Sequence, residues 1–189
     1  MDGGVPSLLM LSNLLPLYVD LDGTLIKTDI LFEGAVELIQ SNPIYLFFIM
    51  FWCLRGPRHL KRQIFNQVDF NPAILPYRQS VLDYLKLQKK KGRPIVLATA
   101  ADHRVAKKVA SHLGLFEDVL ATDELNLKGK KKLDAIVRHS QGKGFEYIGD
   151  SFSDYPILMF ASRATVVDGN NKLKAKLNKQ GKTIQNIAP

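Results

Sequence analysis

The chain has 189 residues, 46% of them hydrophobic and 23% charged, which excludes a largely disordered chain and suits one substantial domain, or one domain carrying a small insertion. The formal net charge of +8 points to anionic partners such as phosphate esters or anionic lipid. No zinc spacing, ribonucleoprotein aromatic pattern or internal repeat is present, so no nucleic acid is expected.

A single cysteine, Cys53, excludes an internal disulfide. Inside an apolar run it reads as a small buried hydrophobe. The basic residues gather at 55–62, 89–91, 128–132 and 172–179. Each cluster is read as a solvated helix face or as part of an anion-binding surface.

Residues 1–15 hold a short apolar stretch with an acidic Asp2 and no basic start. They read as a flexible lead-in, not as a secretory signal. Residues 17–20 read as a short buried strand, and 30–40 carry helical spacing of apolar residues up to Pro43. Ile44 to Leu54 is a run of eleven apolar residues. As a helix it extends about 16 Å, against a bilayer core of about 30 Å, so it cannot span a membrane alone. Pro72 and Pro76 mark a loop. Residues 79–90 read as a helix ended by Gly92, and 94–98 as a buried strand with Thr99 at its end. Asp102 is placed to N-cap a helix running to about His112. A strand at 118–121, a helix at 130–140, a strand at 145–149, a helix at 153–161, a strand at 164–167 and a basic helix at 171–179 complete the order. Tyr18, Phe145 and Tyr147 are expected in the core.

Strands alternating with helices predict an α/β fold: a Rossmann-like, three-layer α/β/α arrangement around a parallel sheet. Chemistry in such folds gathers at the carboxyl ends of the strands. Asp20 and Asp22 stand two residues apart at the first such end, where alternation turns both side chains toward one centre. The pair suits a nucleophile with a proton carrier, or a hard-cation site built from oxygen ligands. A strand followed by an Asx turn at Asp22-Gly23 is the plain alternative. Thr99 and Asp150 at two further strand ends favour the shared crevice.

With these positions, the chain resembles the haloacid dehalogenase superfamily of phosphotransferases. The likeness rests on Asp20-Leu-Asp22-Gly23-Thr24, Leu97-Ala-Thr99-Ala100, Lys128-Gly129-Lys130 and Gly149-Asp150-Ser-Phe-Ser-Asp154, in that order. The resemblance implies a phosphomonoester hydrolase that uses Mg2+ and an aspartyl-phosphate intermediate. It implies Asp20 as nucleophile and metal ligand, and Asp22 as proton carrier that also offers its backbone carbonyl to the metal. Asp150 would be a direct metal ligand. Gly23, Thr24, Thr99 and Ala100 would hold the substrate phosphate. Lys128 is preferred over Lys130 for the charge-stabilising lysine, and Lys131 and Lys132 are expected in solvent. Asp154 would act through water or orient Lys128, its alternative being a first-turn helix acid. His103 reads as a solvated residue at a helix start. An aspartate at position 22 favours phosphatase or phosphomutase chemistry over dehalogenation.

Between the first two motifs the family inserts a substrate-selecting cap. The expected division is therefore a lead-in at 1–15, a core at 16–28 and 76–189, and a helical cap at 29–75, as in the phosphoserine phosphatase branch. The apolar run is unusual for a lid over a small charged phosphate. A further likeness is to the phosphatase-like domain associated with ubiquinone-type membrane prenyltransferases. It rests on 16–25, Asn42-Pro43 with the apolar stretch after it, Leu60-Lys61-Arg62, Leu75-Pro76-Tyr77 and Asn126-Leu127-Lys128-Gly129. It implies a prenyl, lipid-linked or sugar phosphate as substrate, and a membrane prenyltransferase as partner. A non-catalytic partner of such an enzyme, or a phosphomutase, is the alternative. The apolar run is expected either to pack within the cap or against a second subunit in a homodimer, or to touch a membrane with Arg55, Arg58, Lys61 and Arg62 facing headgroups. The expected location is cytoplasmic, peripheral at the inner face of the membrane.

Overall fold

The computed structural model describes residues 14–123, 126–167 and 170–187, the Arg58 side chain excepted. Most of the lead-in, residues 1–13, lies outside the described residues. Six parallel strands form one sheet in the order β3-β2-β1-β4-β5-β6. They are β1 (Leu17–Val19), β2 (Ile95–Asp102), β3 (Asp118–Thr122), β4 (Glu146–Gly149), β5 (Arg163–Val167) and β6 (Ile184–Ile187). The predicted parallel α/β architecture is present, and β1 lies centrally with β2 and β4 as its neighbours.

Alternation along the central strands sets the two faces. Leu17 and Val19 of β1, with Ile95 and Leu97 of β2, point into one apolar cluster. Tyr18, Val96, Ala98 and Tyr147 point into the other. Strands buried on both faces belong in a parallel sheet covered by helices on each side. Helices α4 (Gln79–Lys90) and α5 (His103–Leu113) fill the first face through Val81, Leu82, Leu85, Val105 and Val109. Helices α6 (Lys130–His139), α7 (Tyr155–Phe160) and α8 (Asn171–Lys179) fill the second through Ile136, Ile157, Leu158, Leu173 and Leu177. Tyr18, Phe145 and Tyr147 are fully enclosed, as expected.

Between β1 and α4 lie three further helices: α1 (Ile30–Ser41), α2 (Tyr45–Leu54) and α3 (Pro57–Gln67). Asp29 caps α1 by accepting from the Leu31 and Phe32 amides. Pro57 suits the first turn of α3, and Leu60, Ile64 and Val68 recur on its inner side. Helix α3 and strand β6 are absent from the predicted elements. Charged residues interrupt the first, and the second holds apolar residues only at its ends. The three helices share the first apolar cluster with the sheet through Ile30, Leu38, Trp52, Ile64 and Phe65.

Two expectations change here. Cys53 is exposed, not buried. Of the alternatives for the apolar run, packing within the cap is not met among the described residues: Trp52 is the one buried residue of α2, while Tyr45 and Ile49 are partly buried against the cluster. A helix that is apolar all round has only one stripe to give to a single neighbouring core. No helix among the described residues is long and apolar enough to cross a membrane.

At the amino-terminal edge of the sheet a buried ion pair joins the layers. Arg93 meets the Glu146 carboxylate at 2.5 Å. It also donates to the Leu15 carbonyl at 2.8 Å and to Gln88 Oε1 at 3.1 Å.

Candidate functional site

The chain leaves β1 at Asp20, whose amide donates to the Ile148 carbonyl of β4 at 3.0 Å. It then folds into a tight loop. The amides of Leu25 and Ile26 both donate to the Leu21 carbonyl, and the Gly23 amide donates to the Thr28 carbonyl. Gly23 takes a φ of +75°, a conformation natural to glycine. A Cβ there would lie 2.2 Å from Asp150 Oδ2, so glycine also makes room for that carboxylate. The buried Arg78 donates to the Gly23 carbonyl through Nε at 3.2 Å and Nη2 at 3.1 Å.

Asp20 is almost fully buried. Its Oδ1 accepts from Lys132 Nζ at 2.6 Å. The same ammonium donates to Asp154 Oδ1 at 3.1 Å and to the Tyr147 hydroxyl at 3.0 Å. Tyr147 in turn donates to Asp154 Oδ1 at 2.7 Å, and Ser151 Oγ donates to Asp154 Oδ2 at 2.8 Å. Gly149 permits this approach, since a Cβ there would meet Tyr147 at 2.7 Å and Asp154 at 3.0 Å. Thr24, fully buried, donates toward Asp150 Oδ1 at 3.2 Å and Asp20 Oδ2 at 3.4 Å.

Lys132 was expected in solvent, and the structure buries it. Lys132 and Ile136 are the two buried residues of α6. Their four-residue spacing puts them on one inward face, which is the signal the sequence held. Lys128 is exposed at the rim of the cavity and Lys130 is exposed at the helix start. The ammonium against Asp20 therefore comes from Lys132. Arg78 and the hydroxyl of Tyr147 were likewise not anticipated as parts of this network.

Asp20, Asp22, Asp150 and Lys132 line a cavity of about 890 Å³, together with Ala100 and Lys128. Asp22 Oδ1 accepts from the Ile30 amide at 2.8 Å, which ties the loop to the start of α1. Thr99 lies inside β2, because that strand runs on to Asp102. It is fully buried, and its hydroxyl accepts from the Ala101 amide at 3.0 Å. Gly23 and Thr24 underlie the carboxylates and are not among the residues lining the cavity. His103 lines the cavity at the head of α5. Lys61 of α3 reaches across to donate to the Ala100 carbonyl at 3.2 Å.

Burial pushes the Asp20 carboxyl well above its ordinary range; Lys132 opposes this, while Asp154 and Asp22 reinforce it. Burial and the neighbouring Asp29 push Asp22 up to about 6, against the Ile30 amide and Lys61. Burial and Asp154 push Asp150 up to about 6. Asp154 is also penalised by burial, yet Lys132, Tyr147 and Ser151 hold it below the usual carboxylate range. Lys132 is penalised by burial too, and Asp20 and Asp154 outweigh that and hold it charged.

Oxygens of Asp20, Asp150 and Asp154 all lie within 4.8 Å of one another. Such an all-oxygen set, with Gly23 leaving room at Asp150, fits a hard divalent cation. Two of its three carboxyls are held up by burial, which a cation would relieve.

Known proteins share the fold of this chain and, over part of it, its sequence. The model of the haloacid dehalogenase-like hydrolase family matches residues 46–159, a span that contains Lys132, Asp150 and Asp154. The uncharacterised protein y4nM of Sinorhizobium fredii (strain NBRC 101917 / NGR234) is 36% identical over 176 residues, which is 93% of this chain and 34% of that protein. The chain thus spans about a third of the curated relative's length. Among solved structures, a protein of unknown function from Bordetella pertussis Tohama I overlays with a TM-score of 0.67 at 15% identity, covering 93% of this chain and 100% of the other. A substrate-bound phosphoserine phosphatase complex overlays with a TM-score of 0.61 at 14% identity, covering 87% and 91%. At those identities the two structures speak for the fold alone. The chain belongs to the haloacid dehalogenase-like hydrolase family.

Proposed function

We propose that the chain is a Mg2+-dependent phosphomonoester hydrolase that works through a phosphorylated Asp20. The observation that carries this reading is the Lys132–Asp20 contact of 2.6 Å inside a cavity shared with Asp22 and Asp150. The family membership and the fold likeness to a phosphoserine phosphatase support it.

The two half-reactions follow from the residues. An Asp20 oxygen attacks phosphorus, the bond from phosphorus to the leaving oxygen breaks, and Asp22 delivers a proton to that oxygen. Water then attacks the same phosphorus. Asp22 takes its proton, the acyl-phosphate bond breaks, and Asp20 is released as carboxylate. A carboxyl titrating at about 6 is poised to do both near neutrality. Lys132 aims Asp20 and offers its charge to the oxygens of the phosphoryl group in transfer. Asp154 and Tyr147 hold Lys132 in place. Asp20 and Asp150, with Asp154 beside them, would hold Mg2+, and Asp22 would join that set through its backbone carbonyl. A cation held there would supply charge neutralisation, letting the anionic phosphate approach the Asp20 carboxylate.

Thr99 and Ala100 enter the proposal through the carboxyl half of β2: the Thr99 hydroxyl accepts from the Ala101 amide, and Ala100 lines the cavity. Helices α1 to α3, within residues 29–75, form the cap of this proposal, with Pro57, Lys61 and Arg62 of α3 closing one side of the cavity.

The test is hydrolysis of 4-nitrophenyl phosphate with Mg2+ by the wild type and by Asp20→Asn, with trapping of acid-stable labelled phosphate on the protein. Turnover that needs Mg2+ and is abolished by Asp20→Asn is expected. Equal turnover in Asp20→Asn removes the nucleophile. No turnover of any phosphomonoester in either protein favours the rival reading, a non-catalytic partner of a membrane prenyltransferase.

A further inference from the structure

Helix α2 presents a broad apolar face to solvent. Phe47 is 72% exposed, Met50 61%, Phe51 51% and Leu54 85%. Ile44, Leu46 and Phe48 flank them. The inward stripe of Tyr45, Ile49 and Trp52 accounts for the packing of this helix on the other described elements, so among the described residues the outer face serves no contact with another element. Contiguous exposed apolar surface of this kind marks an interaction site.

We propose that the outer face of α2 docks in the plane of an anionic lipid bilayer. Charge selects this occupant. No Asp or Glu occurs between Glu37 and Asp69, while Arg55, Arg58, Lys61 and Arg62 follow the helix directly. The Arg55 guanidinium lies 4.6 Å from the centre of the Phe51 ring, which sets a cation at the carboxyl end of the apolar face. Aromatic and aliphatic side chains bordered by cations match the boundary between acyl chains and anionic headgroups. The helix has 10 residues, or about 15 Å, too short to span a core of about 30 Å and suited to lying in the interface. Pro57, three residues beyond Leu54, already lines the cavity, so docking sets the cavity beside the lipid surface.

This inference stands apart from the hydrolase reading, because binding is measured without turnover. The experiment is flotation at low salt with vesicles of phosphatidylcholine alone and of phosphatidylcholine with phosphatidylglycerol. It compares wild type, Phe47→Asp/Leu54→Asp and Arg55→Glu. None of these three residues lines the cavity, and circular dichroism with a thermal melt controls for the folding of each variant. A polarity-sensitive dye on Cys53, the sole cysteine and exposed on α2, reports insertion. The wild type is expected to float with the anionic vesicles and the dye emission to shift blue. Arg55→Glu should weaken partitioning roughly tenfold, and the double variant should abolish it. Absence of wild-type flotation on anionic vesicles overturns the proposal, as does equal flotation of the double variant. A wild-type dimer that the double variant dissociates, with no vesicle binding, gives the face to a second copy of the chain and equally overturns it.

Discussion

Lys132 Nζ lies 2.6 Å from Asp20 Oδ1 across 112 residues of sequence. The contact forms because α6 turns its Lys132–Ile136 face under the carboxyl end of β1. It divides the lysines of this segment into one buried, Lys128 at the rim, and Lys130 and Lys131 exposed outside the cavity. Lys132→Met is therefore expected to lower kcat by roughly 10²–10³. Lys128→Met, at an exposed position, should raise KM and leave kcat nearly unchanged. Steady-state kinetics on an aryl phosphate separate the two. A kcat loss confined to Lys128→Met would return the role to the residue favoured by motif resemblance.

Asp22 is held to α1 through the Ile30 amide and pushed up to about 6 by burial. As proton donor it is needed most for poor leaving groups. Asp22→Asn should lower kcat roughly 10²–10⁴-fold on an alkyl phosphate, and much less on 4-nitrophenyl phosphate, whose phenolate leaves without a proton. In single-turnover release of an alkyl alcohol, the wild-type rate should fall as pH rises above about 6, where Asp22 loses its proton. Equal losses on both substrates would count against proton delivery by Asp22.

The carboxyl cluster also sets a pH dependence of stability. Asp22 and Asp150 start from an ordinary value of 3.8 and stand at about 6 in the folded chain. Between those values the native state binds more protons than the unfolded state. Stability of the metal-free protein therefore falls as pH rises through that window, and is steady with respect to these groups above it. A divalent cation favours the ionised carboxylates, so its stabilising effect should grow across the same window. Thermal unfolding at about pH 5 and about pH 7.5, with and without Mg2+, checks this. A larger Mg2+ effect at the lower pH would contradict the assignment of the cluster as the cation site.

Most of the framework was legible because it rests on local signals. The α5 boundaries followed from Asp102 as a cap and Gly114 in the left-handed region. The helix at 79–90 followed from apolar spacing, with Val81, Leu82 and Leu85 buried as that spacing requires. Asp20, Asp22 and Asp150 were found because strand ends in a parallel sheet converge. The lysine is harder: four lysines lie within residues 128–132, and only their phase against Ile136 tells which one points inward. Thr99 was placed at a strand end, but β2 continues to Asp102 through an irregular register with β3. The fate of the apolar run depended on how much core its neighbours offered, a tertiary quantity that periodicity does not carry.

Gly23 and Gly56 give a matched test of the nucleophile loop. Both have positive φ, +75° and +93°. A Cβ at Gly23 would meet Asp150 Oδ2 at 2.2 Å, whereas at Gly56 nothing lies within 4 Å. Alanine at either site carries a backbone penalty of roughly 1–2 kcal/mol. Only Gly23→Ala should also displace Asp150, weakening Mg2+ binding by roughly tenfold or more. Calorimetric titration of Mg2+ into both variants makes the comparison. Equal affinities would separate Asp150 from the cation site.

Arg93 and Glu146 test whether stability and chemistry sit at opposite ends of the sheet. The pair is buried, with Arg93 also holding Gln88 and the Leu15 carbonyl, and Arg163 approaching Glu146 at 3.6 Å. Glu146 opens β4 and Asp150 follows its end, so the strand length separates the pair from the cavity. Glu146→Ala leaves a buried guanidinium without its carboxylate and should destabilise by about 3–5 kcal/mol. Glu146→Gln keeps an acceptor for Arg93 and should recover part of that loss. Denaturant unfolding measures the stability change, and kcat measured below the unfolding transition should stay at the wild-type level in both variants. A fall in kcat with stability unchanged would mean that the pair communicates with Asp150 through β4, and the division between the two ends would fail.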